Sequence, residues 1–270
     1  MSKNILKFLL KLNLLGTKRT FKFFQSLHRI SLKGMNIGLG GEVKESGELD
    51  ILKRIRKYYK NSKEIIIFDV GANIGTYSKS ILQVFNIMDI KLYCFEPSLK
   101  TFEVLQKNLP THSNICLNNF GLSDIEQQKE IFQDKELSGI TSLYNRRLNH
   151  LGINFNKTEQ SLFKTLEQYC CKNEINNINF LKLDVEGHEL NVLKGGSHFL
   201  SKIDFIQFEF GGCNIDSRTY FQDFYYLLKD NFNLFYILKN GMVKITEYKE
   251  LYEVFLTTNF LCINKKIKCI

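Results

Sequence analysis

The segment from Ile65 to Gly75 constrains the fold of this chain more than any other stretch. It reads IIIFDVGANIG, an apolar, β-branched run that ends in an acid and continues into two glycines four residues apart. A continuous apolar run of this kind is typical of a buried parallel strand. Gly71 and Gly75 allow a tight turn and the close approach of a ligand to the backbone. With a helix expected over 76–85, the segment predicts a nucleotide-type pocket at the carboxyl end of a parallel sheet.

The spacing of the glycines narrows the choice of ligand. The pattern is Asp69-x-Gly71-x-x-x-Gly75, not the Gly-x-Gly-x-x-Gly that contacts a dinucleotide pyrophosphate. An acid at the strand end would repel a pyrophosphate and attract a positively charged ligand. The ammonium and sulfonium groups of S-adenosylmethionine are such charges. The alternative is an ordinary glycine turn in an α/β core.

Strands and helices alternate along most of the chain. We predict strands at 65–70, 91–96, 114–120, 179–185, 204–210, 232–238 and 253–263, and helices at 48–59, 76–85, 99–109, 188–200 and 218–229. This order predicts an α/β fold with a doubly wound, mostly parallel, seven-stranded Rossmann-like sheet and an antiparallel edge strand. Residues 125–170 break the alternation, with short strands at 130–133 and 161–166, and are expected to form an insertion at the edge of the site. The folded domain is assigned to 46–270.

Residues 1–45 are predicted to form a basic helical leader. Residues 1–40 contain eight Lys or Arg and no acid, so the net charge of +9 belongs almost entirely to this segment. Its apolar residues are interrupted by Lys7 and Lys11, unlike the core of a secretory signal. No uncharged run of 18 residues occurs, so no transmembrane helix is predicted. The leader could dock on the domain, lie on an anionic membrane as an amphipathic helix, or be disordered.

The cysteines indicate a reducing compartment. They number seven, an odd count, and none forms a Cys-x-x-Cys pair. Cys94 and Cys116 lie in strand-like apolar runs, where a free thiol behaves as a small hydrophobic side chain. A zinc site or a disulfide framework is therefore not expected. We predict a cytoplasmic protein, with peripheral contact between residues 1–40 and an anionic membrane as one of the alternatives for the leader.

Acidic side chains follow nearly every predicted parallel strand. They are Asp69, Glu96, Asp124, Asp184 with Glu186, and Glu209. Neighbouring strands lie about 4.8 Å apart, and like charges raise one another's pKa, so this row implies a cationic or donor-rich ligand. Glu96 lies 21 residues after Gly75, a spacing that suits ribose hydroxyls and is shared with NAD sites. Asp124, after Ser123, either binds an adenine amino group or caps a turn.

A second motif, FLKLDVEGHE, covers 180–189. His188 is the candidate general base, because its ordinary pKa lies near neutrality. Its alternative role is a polar cap that only orients a carboxylate. Asp184 and Glu186 are candidate catalytic groups at the pocket floor, whereas Glu189 suits capping of the helix that follows. These acids could bind Mg²⁺, but a required metal is not predicted.

Taken together, these motifs resemble the FkbM-type methyltransferases. The matching pieces, in order, are SGE at 46–48, FDVGANIG at 68–75, FEP at 95–97, GLSD at 121–124, KLDVEGHE at 182–189, VLKGG at 192–196 and FE at 208–209. The resemblance implies a class I methyltransferase fold, S-adenosylmethionine as cofactor, and O-methyl transfer to a hydroxyl of a sugar, glycan or small natural product. The cofactor-binding residues expected from the motifs are Asp69, Gly71, Asn73, Gly75, Glu96, Ser123, Asp124 and Asp184.

The acceptor is not fixed by these motifs. Contacts to it are expected from the loop 139–149 and from the segment after Gly211 and Gly212, and Arg146 with Arg147 could bind a phosphate or carboxylate or be a solvated pair. An RNA ribose or other nucleic-acid methyltransferase is the main alternative. The Asn/Asp-Pro-Pro-Tyr turn of base methylation is absent, so nucleic acid is not the expected partner. An NAD-dependent oxidoreductase and an inactive scaffold are the remaining alternatives.

Overall fold

The computed structural model describes residues 14–39, 43 and 45–268. Its centre is an eight-stranded sheet in the order β10-β9-β11-β8-β7-β1-β2-β3. The strands of this sheet are β1 (Ile65–Val70), β2 (Ile90–Phe95), β3 (Ile115–Asn118), β7 (Ile178–Leu183), β8 (Ile203–Phe210), β9 (Phe232–Leu238), β10 (Gly241–Ile245) and β11 (Thr258–Asn264). The five strands from β8 to β3 run parallel, whereas β11 is antiparallel to both β8 and β9.

Helices cover both faces of the sheet, so the fold is doubly wound as predicted. The helices of the described residues are α1 (Lys18–Gly34), α2 (Glu48–Tyr58), α3 (Thr76–Val84), α4 (Leu99–Asn108), α5 (Leu166–Lys172), α6 (Glu189–Lys194), α7 (Cys213–Ser217) and α8 (Phe221–Leu228). The apolar faces of α2, α3 and α4 pack into one core cluster, and those of α5, α6 and α8 into another. Successive side chains of a strand point to opposite faces, so β1 contributes Ile67 to the first cluster and Phe68 to the second.

The strand count needs correction, because the sheet has eight strands and not seven. The additional strand is β10, which forms a hairpin with β9 and is the antiparallel edge strand. It is short and only partly buried, so its sequence lacks the long apolar run of the central strands. The late strand predicted at 253–263 is β11, which begins at Thr258 and lies inside the sheet between β8 and β9.

The predicted insertion contributes two strands to a separate three-stranded sheet, whose third strand comes just before it in the chain. The strands β4 (Gly121–Ser123), β5 (Gln127–Gln133) and β6 (Lys157–Thr165) of this sheet are in the order β4-β6-β5. The segment between β5 and β6 lies beside the carboxyl ends of the central strands, where Ser142 bonds the backbone of Glu186. The insertion ends at β6, because helix α5, which follows it, packs into the main core. This helix was not predicted from the sequence.

Helix α1 falls within the predicted leader, of which residues 1–13 lie outside the described residues. Leu32 is its one buried residue, and Ile37 just beyond it is also buried. Asn36 then donates hydrogen bonds to the backbone oxygens of Ser46 and Ile237, which fixes the end of the helix to the domain. No helix among the described residues combines the length and apolar character needed to cross a bilayer.

Candidate active site

A cavity of about 420 Å³ lies at the carboxyl ends of β1 and β7. Between these neighbouring strands the chain order changes direction, with β2 and β3 on one side and β8 on the other. A ligand crevice is expected at this switch point of an open parallel sheet. The polar and charged side chains lining it include Asn73, Glu96, Ser138, Thr141, Ser142, Asp184, Glu186, His188, Glu209 and Thr257.

Gly71 lets the turn after β1 pass close to the end of β7. Its φ is +82°, and a Cβ added there would lie 1.8 Å from the backbone oxygen of Asp184. Only glycine fits both the left-handed conformation and this approach. Gly71 itself lines the cavity, whereas Gly75 precedes α3 and packs against Leu105 outside the lining.

Asn73 and Glu96 form one wall of the cavity. The Glu96 carboxylate accepts hydrogen bonds from the backbone N–H groups of Asn73 at 3.0 Å and Ser98 at 2.9 Å. Burial raises the pKa of Glu96 to about 7, although these two bonds oppose the shift. The amide oxygen Oδ1 of Asn73 is buried without a hydrogen-bond partner. A buried acceptor left without a donor fits a ligand that carries N–H or O–H groups.

Asp69 is placed differently from the other predicted cofactor residues. Its carboxylate is fully buried on the α3 side of the sheet, accepts a hydrogen bond from Ser78, and is not among the lining residues. Burial raises its pKa to about 6. Asp69 therefore fixes α3 against β1, behind the glycine turn, and any influence on a ligand would pass through that turn or act through its charge.

Lys182 is a buried cation beneath the cavity. It lies on β7 with a side-chain exposure of 1 %, 3.2 Å from Glu48 Oε1 and 3.3 Å from Asp184 Oδ2. Gln207 also donates to Glu48, and Ser46 donates to its other oxygen. The two carboxylates keep the pKa of Lys182 well above its usual value despite burial, which opposes the charge. The upstream 46–48 motif thus supports Asp184 through one buried lysine.

His188 lies in the middle of a directed hydrogen-bond chain that runs from Tyr144 to Asp124. Its Nε2 is 2.9 Å from Ser123 Oγ and its Nδ1 is 3.0 Å from the Tyr144 hydroxyl. Ser123 donates its single hydroxyl proton to Asp124, so His188 carries its proton on Nε2 and Nδ1 accepts from Tyr144. Burial lowers the pKa of His188 to about 4. A neutral ring with both nitrogens engaged matches the orienting role more closely than the role of general base.

Ser123 and Asp124 lie beside the cavity and not on its lining. Burial opposes ionisation of Asp124, but hydrogen bonds from Ser123 and Asn191 outweigh it and hold the pKa of Asp124 below its usual value. Gly121 and Leu122, which precede them, do line the cavity. In the described structure Asp124 therefore acts as the anchor of the His188 chain.

The insertion closes over the cavity as a lid. We define the lid as residues 138–147, of which 138–143 line the cavity. Ser142 Oγ donates to the backbone oxygen of Glu186 at 2.8 Å, and Arg146 Nη1 contacts Glu186 Oε2 at 2.5 Å. Burial raises the pKa of Glu186 to about 8, although Arg146 opposes the shift. The Arg146 side chain is 9 % exposed and pairs with the carboxylate of Glu186, whereas Arg147 is exposed, so the two do not form one solvated pair.

Two functional contacts were missed from the sequence. Tyr144 lies in a polar loop with no regular pattern, and nothing local indicates its bond to His188. Lys182 did carry a signal, because a lysine inside the apolar strand FLKL must find a buried partner. The partner lies 134 positions earlier in the chain, at Glu48, and only the fold brings the two together.

The sheet order, the glycine turn and the acidic cavity define a class I methyltransferase-type α/β fold. Residues 69–233 match the family described as the methyltransferase FkbM domain. This match covers more than half of the chain, and the chain therefore belongs to the FkbM methyltransferase family.

Two characterised relatives match at modest identity. The hexuronic acid methyltransferase AglP of Haloferax volcanii is 28 % identical over 164 residues, which cover 59 % of this chain and 61 % of AglP. The 2-O-methyltransferase NoeI of Sinorhizobium fredii is 24 % identical over 154 residues, which cover 54 % of this chain and 63 % of NoeI. The chain thus spans about three fifths of each relative's length.

Among solved structures, an FkbM methyltransferase from Methylobacillus flagellatus superimposes with a TM-score of 0.44 at 15 % identity, covering 74 % of this chain and 43 % of that one. The fold assignment rests on the strand order of the chain itself.

Proposed function

We propose that the protein transfers a methyl group from S-adenosylmethionine to a hydroxyl of a sugar or glycan. The observation that carries the proposal is the buried, unpartnered Oδ1 of Asn73 in a cavity that four carboxyl side chains also line, those of Glu96, Asp184, Glu186 and Glu209. S-adenosylmethionine presents an ammonium, a sulfonium and two ribose hydroxyls, which complement this lining. Family membership supports the same cofactor.

The residues present fit this cofactor. Glu96 would accept from the ribose hydroxyls while it keeps its two backbone N–H bonds. Asn73 Oδ1 and the backbone of Gly71 would hold the polar end of the cofactor near Asp184. When bound, the cofactor supplies an electrophilic methyl carbon. The chain's own contribution is to orient an acceptor oxygen toward that carbon and to exclude water, and such positioning accounts for most of the rate in reactions of this type.

A sugar hydroxyl is the proposed acceptor because both characterised relatives are consistent with it. AglP is named for hexuronic acid and NoeI for 2-O-methylation. The lid forms one side of the cavity, and its residues 138–143 would contact the acceptor. The choice among sugars depends on this loop, which lies outside the strongest motifs.

The first test is calorimetric titration with S-adenosylmethionine, S-adenosylhomocysteine and NAD. We expect binding of the first two and none of NAD. Glu96→Ala should weaken binding by about 1–3 kcal/mol, the cost of losing hydrogen bonds to a charged acceptor. Glu103→Ala, an exposed change on α4, is the matched control. Methyl-labelled cofactor with a panel of methyl hexuronosides and methyl hexosides then identifies the acceptor. Binding of NAD alone would refute the proposal.

The second part of the proposal is that α1 lies on an anionic membrane surface. The helix carries five basic residues and no acid. Four of its large apolar side chains are exposed, with Phe21 at 65 % and Ile30 at 67 %, besides Phe23 and Leu27. Exposed aromatic and aliphatic residues on a basic helix are the composition of an interfacial helix. Of the three alternatives for the leader, which were docking on the domain, contact with a membrane surface and disorder, we therefore propose membrane contact for α1.

Helix α1 is joined to the rim of the cavity. Beyond its end, the backbone N–H of Gly38 donates to the backbone oxygen of Thr257 at 2.9 Å, and Thr257 lines the cavity. A membrane-bound α1 would therefore hold the cavity mouth near the lipid headgroups. This arrangement suits an acceptor sugar that is itself attached to a lipid.

Sedimentation with vesicles tests the membrane contact. We expect the protein to bind phosphatidylcholine vesicles that contain about 30 % of the anionic lipid phosphatidylglycerol. This binding should be lost in high salt, which screens the attraction between the basic helix and the lipid. Phe23→Ser with Leu27→Ser should reduce binding strongly, because both side chains are exposed on α1. Met88→Ser removes an equally exposed apolar side chain elsewhere and should have no effect. Equal binding of all three proteins would refute the membrane role of α1.

A further inference from the structure

Five titratable side chains line the cavity, and four of them already have partners. Both oxygens of Glu96 accept backbone N–H bonds, and Glu186 is paired with Arg146. Both ring nitrogens of His188 are engaged, and Asp184 faces Lys182. Within the described residues, Glu209 has neither a hydrogen bond nor an ion pair through its side chain. It is the carboxylate in the cavity that is free to take a proton from a ligand.

The strand register places Glu209 beside Asp184. In the parallel pair β7 and β8, Lys182 is opposite Gln207 and Leu183 is opposite Phe208. One step further, the ends of the two strands bring Asp184 and Glu209 next to each other. Side chains alternate along a strand, so Glu209 projects from the same face as Gln207, the face on which Lys182 is buried. One carboxylate of the pair is therefore held by the lysine, and its neighbour is not.

From this arrangement we propose that Glu209 is the general base that removes the proton from the acceptor hydroxyl. The inference rests on the proposed methyl transfer. As the acceptor oxygen bonds to the methyl carbon, the bond from sulfur to that carbon breaks and sulfur keeps the electron pair as a neutral thioether. The hydroxyl proton passes to a carboxylate oxygen of Glu209. Asp184, fixed by Lys182, holds the acceptor or the cofactor in line.

The charges around Glu209 suit this task. Burial, together with the carboxylates of Asp184, Glu186 and Glu189, raises the pKa of Glu209 well above its usual range, whereas Lys182 opposes the shift. On the other side Asn259 of β11 is the cross-strand neighbour and is uncharged. A base of raised pKa accepts a proton more readily than an ordinary carboxylate. A positive charge arriving in the cavity would favour the ionised form at neutral pH.

Glu209→Gln tests the proposal, because it keeps the shape of the side chain and removes the base. With the best glycoside of the panel described above, we expect turnover to fall by about 100-fold or more, the usual contribution of a general base. The acid limb of the pH–rate profile should disappear, and Glu209→Asp should restore part of the rate with that limb. Glu103→Gln, an exposed change, should behave as wild type.

A binding measurement needs no acceptor. If Glu209 faces the reacting centre, Glu209→Gln should weaken the binding of S-adenosylmethionine by about tenfold relative to the binding of S-adenosylhomocysteine. The reason is that only S-adenosylmethionine carries a sulfonium charge. Unchanged turnover and an unchanged binding ratio in a wild-type protein that methylates would overturn the role of Glu209. Failure of the wild-type protein to bind either compound would instead refute the proposed function.

Discussion

At the scale of single residues, the site depends on two positions at which the surrounding structure tolerates few other side chains. Gly71 is one of them, because its missing side chain lets the β1 turn contact β7. Lys182 is the other, because its charge is the counter-ion of two carboxylates on different elements. The first is a steric requirement and the second an electrostatic one.

Gly71→Ala should destabilise the protein by about 3 kcal/mol or more. The new Cβ meets the backbone oxygen of Asp184, which cannot move as a flexible side chain would. Gly152 is the matched control, since it has a similar φ of +72° but nothing within 4 Å of an added Cβ. Gly152→Ala should therefore cost only about 1 kcal/mol, the strain of the left-handed conformation. Urea unfolding measures both, and equal costs would contradict the steric argument.

Lys182→Met should lower the free energy of unfolding by about 3–5 kcal/mol. The change leaves Glu48 and the inner oxygen of Asp184 without their counter-charge, and breaking a buried pair from one side is costly. Adding Glu48→Gln to Lys182→Met should recover part of the loss. Lys79→Met, an exposed change on α3, should shift stability by less than about 0.5 kcal/mol. Denaturant melts that showed no recovery in the double variant would count against the pairing.

At the scale of elements, the local hydrophobic pattern predicted the central strands and the starts of the longer helices. The continuous apolar runs at 65–70 and 232–238 are strands with the predicted bounds. The central helices begin within a few residues of their predicted starts, because their apolar spacing matches one buried face. Helix α5 was missed because its seven residues are too few to display a periodic pattern. The pairing of lid and β7 could not be predicted, since it depends on a loop with no repeat of its own.

The lid should loosen when Arg146 is replaced. Its pair with Glu186 and the bond from Ser142 hold the lid to the segment after β7. In Arg146→Met we expect the backbone amides of 142–147 to exchange hydrogen about tenfold faster or more, because their local opening then costs about 1.4 kcal/mol less. Arg147→Met is the matched control, because the Arg147 side chain is exposed and only its backbone N–H contacts Asp216. Equal exchange in both variants would show that Ser142 and Tyr144 suffice to hold the lid.

At the scale of the whole molecule, charge is divided between two regions. The net positive charge is concentrated in the first 40 positions, which contain eight Lys or Arg and no acid, whereas four carboxyl side chains line the cavity. The charge totals could be obtained from the sequence, and so could the acidic strand ends. The depth of each carboxylate could not, because burial depends on which helices and loops cover the strand ends. That burial has a consequence for the stability of the whole protein.

Without a ligand, the protein should become less stable as pH rises from about 4.5 to 8. Burial raises the pKa of Asp69 to about 6, of Glu96 and Glu189 to about 7, and of Glu186 to about 8. A carboxyl with a raised folded-state pKa contributes stability that is complete below its ordinary value and lost as pH rises through the folded value. The folded state binds more protons in this window, so each group lowers stability by at most about 1.4 kcal/mol per pH unit.

His188 acts in the opposite direction and in a lower window. Its folded pKa of about 4 is depressed, so its contribution is complete above the ordinary value of 6.5 and is lost as pH falls toward 4. Since four carboxyls oppose this one group, His188 makes the loss of stability between pH 4 and 6.5 shallower but does not reverse it. Thermal melts between pH 4 and 9 measure this curve, and Glu186→Gln should flatten its alkaline limb because it removes the carboxyl with the highest of the four values. A stability that rose steadily to pH 8.5 would mean that these carboxyls are ionised in the folded protein, which would contradict the burial of Glu96 and Glu186 at the proposed ligand site.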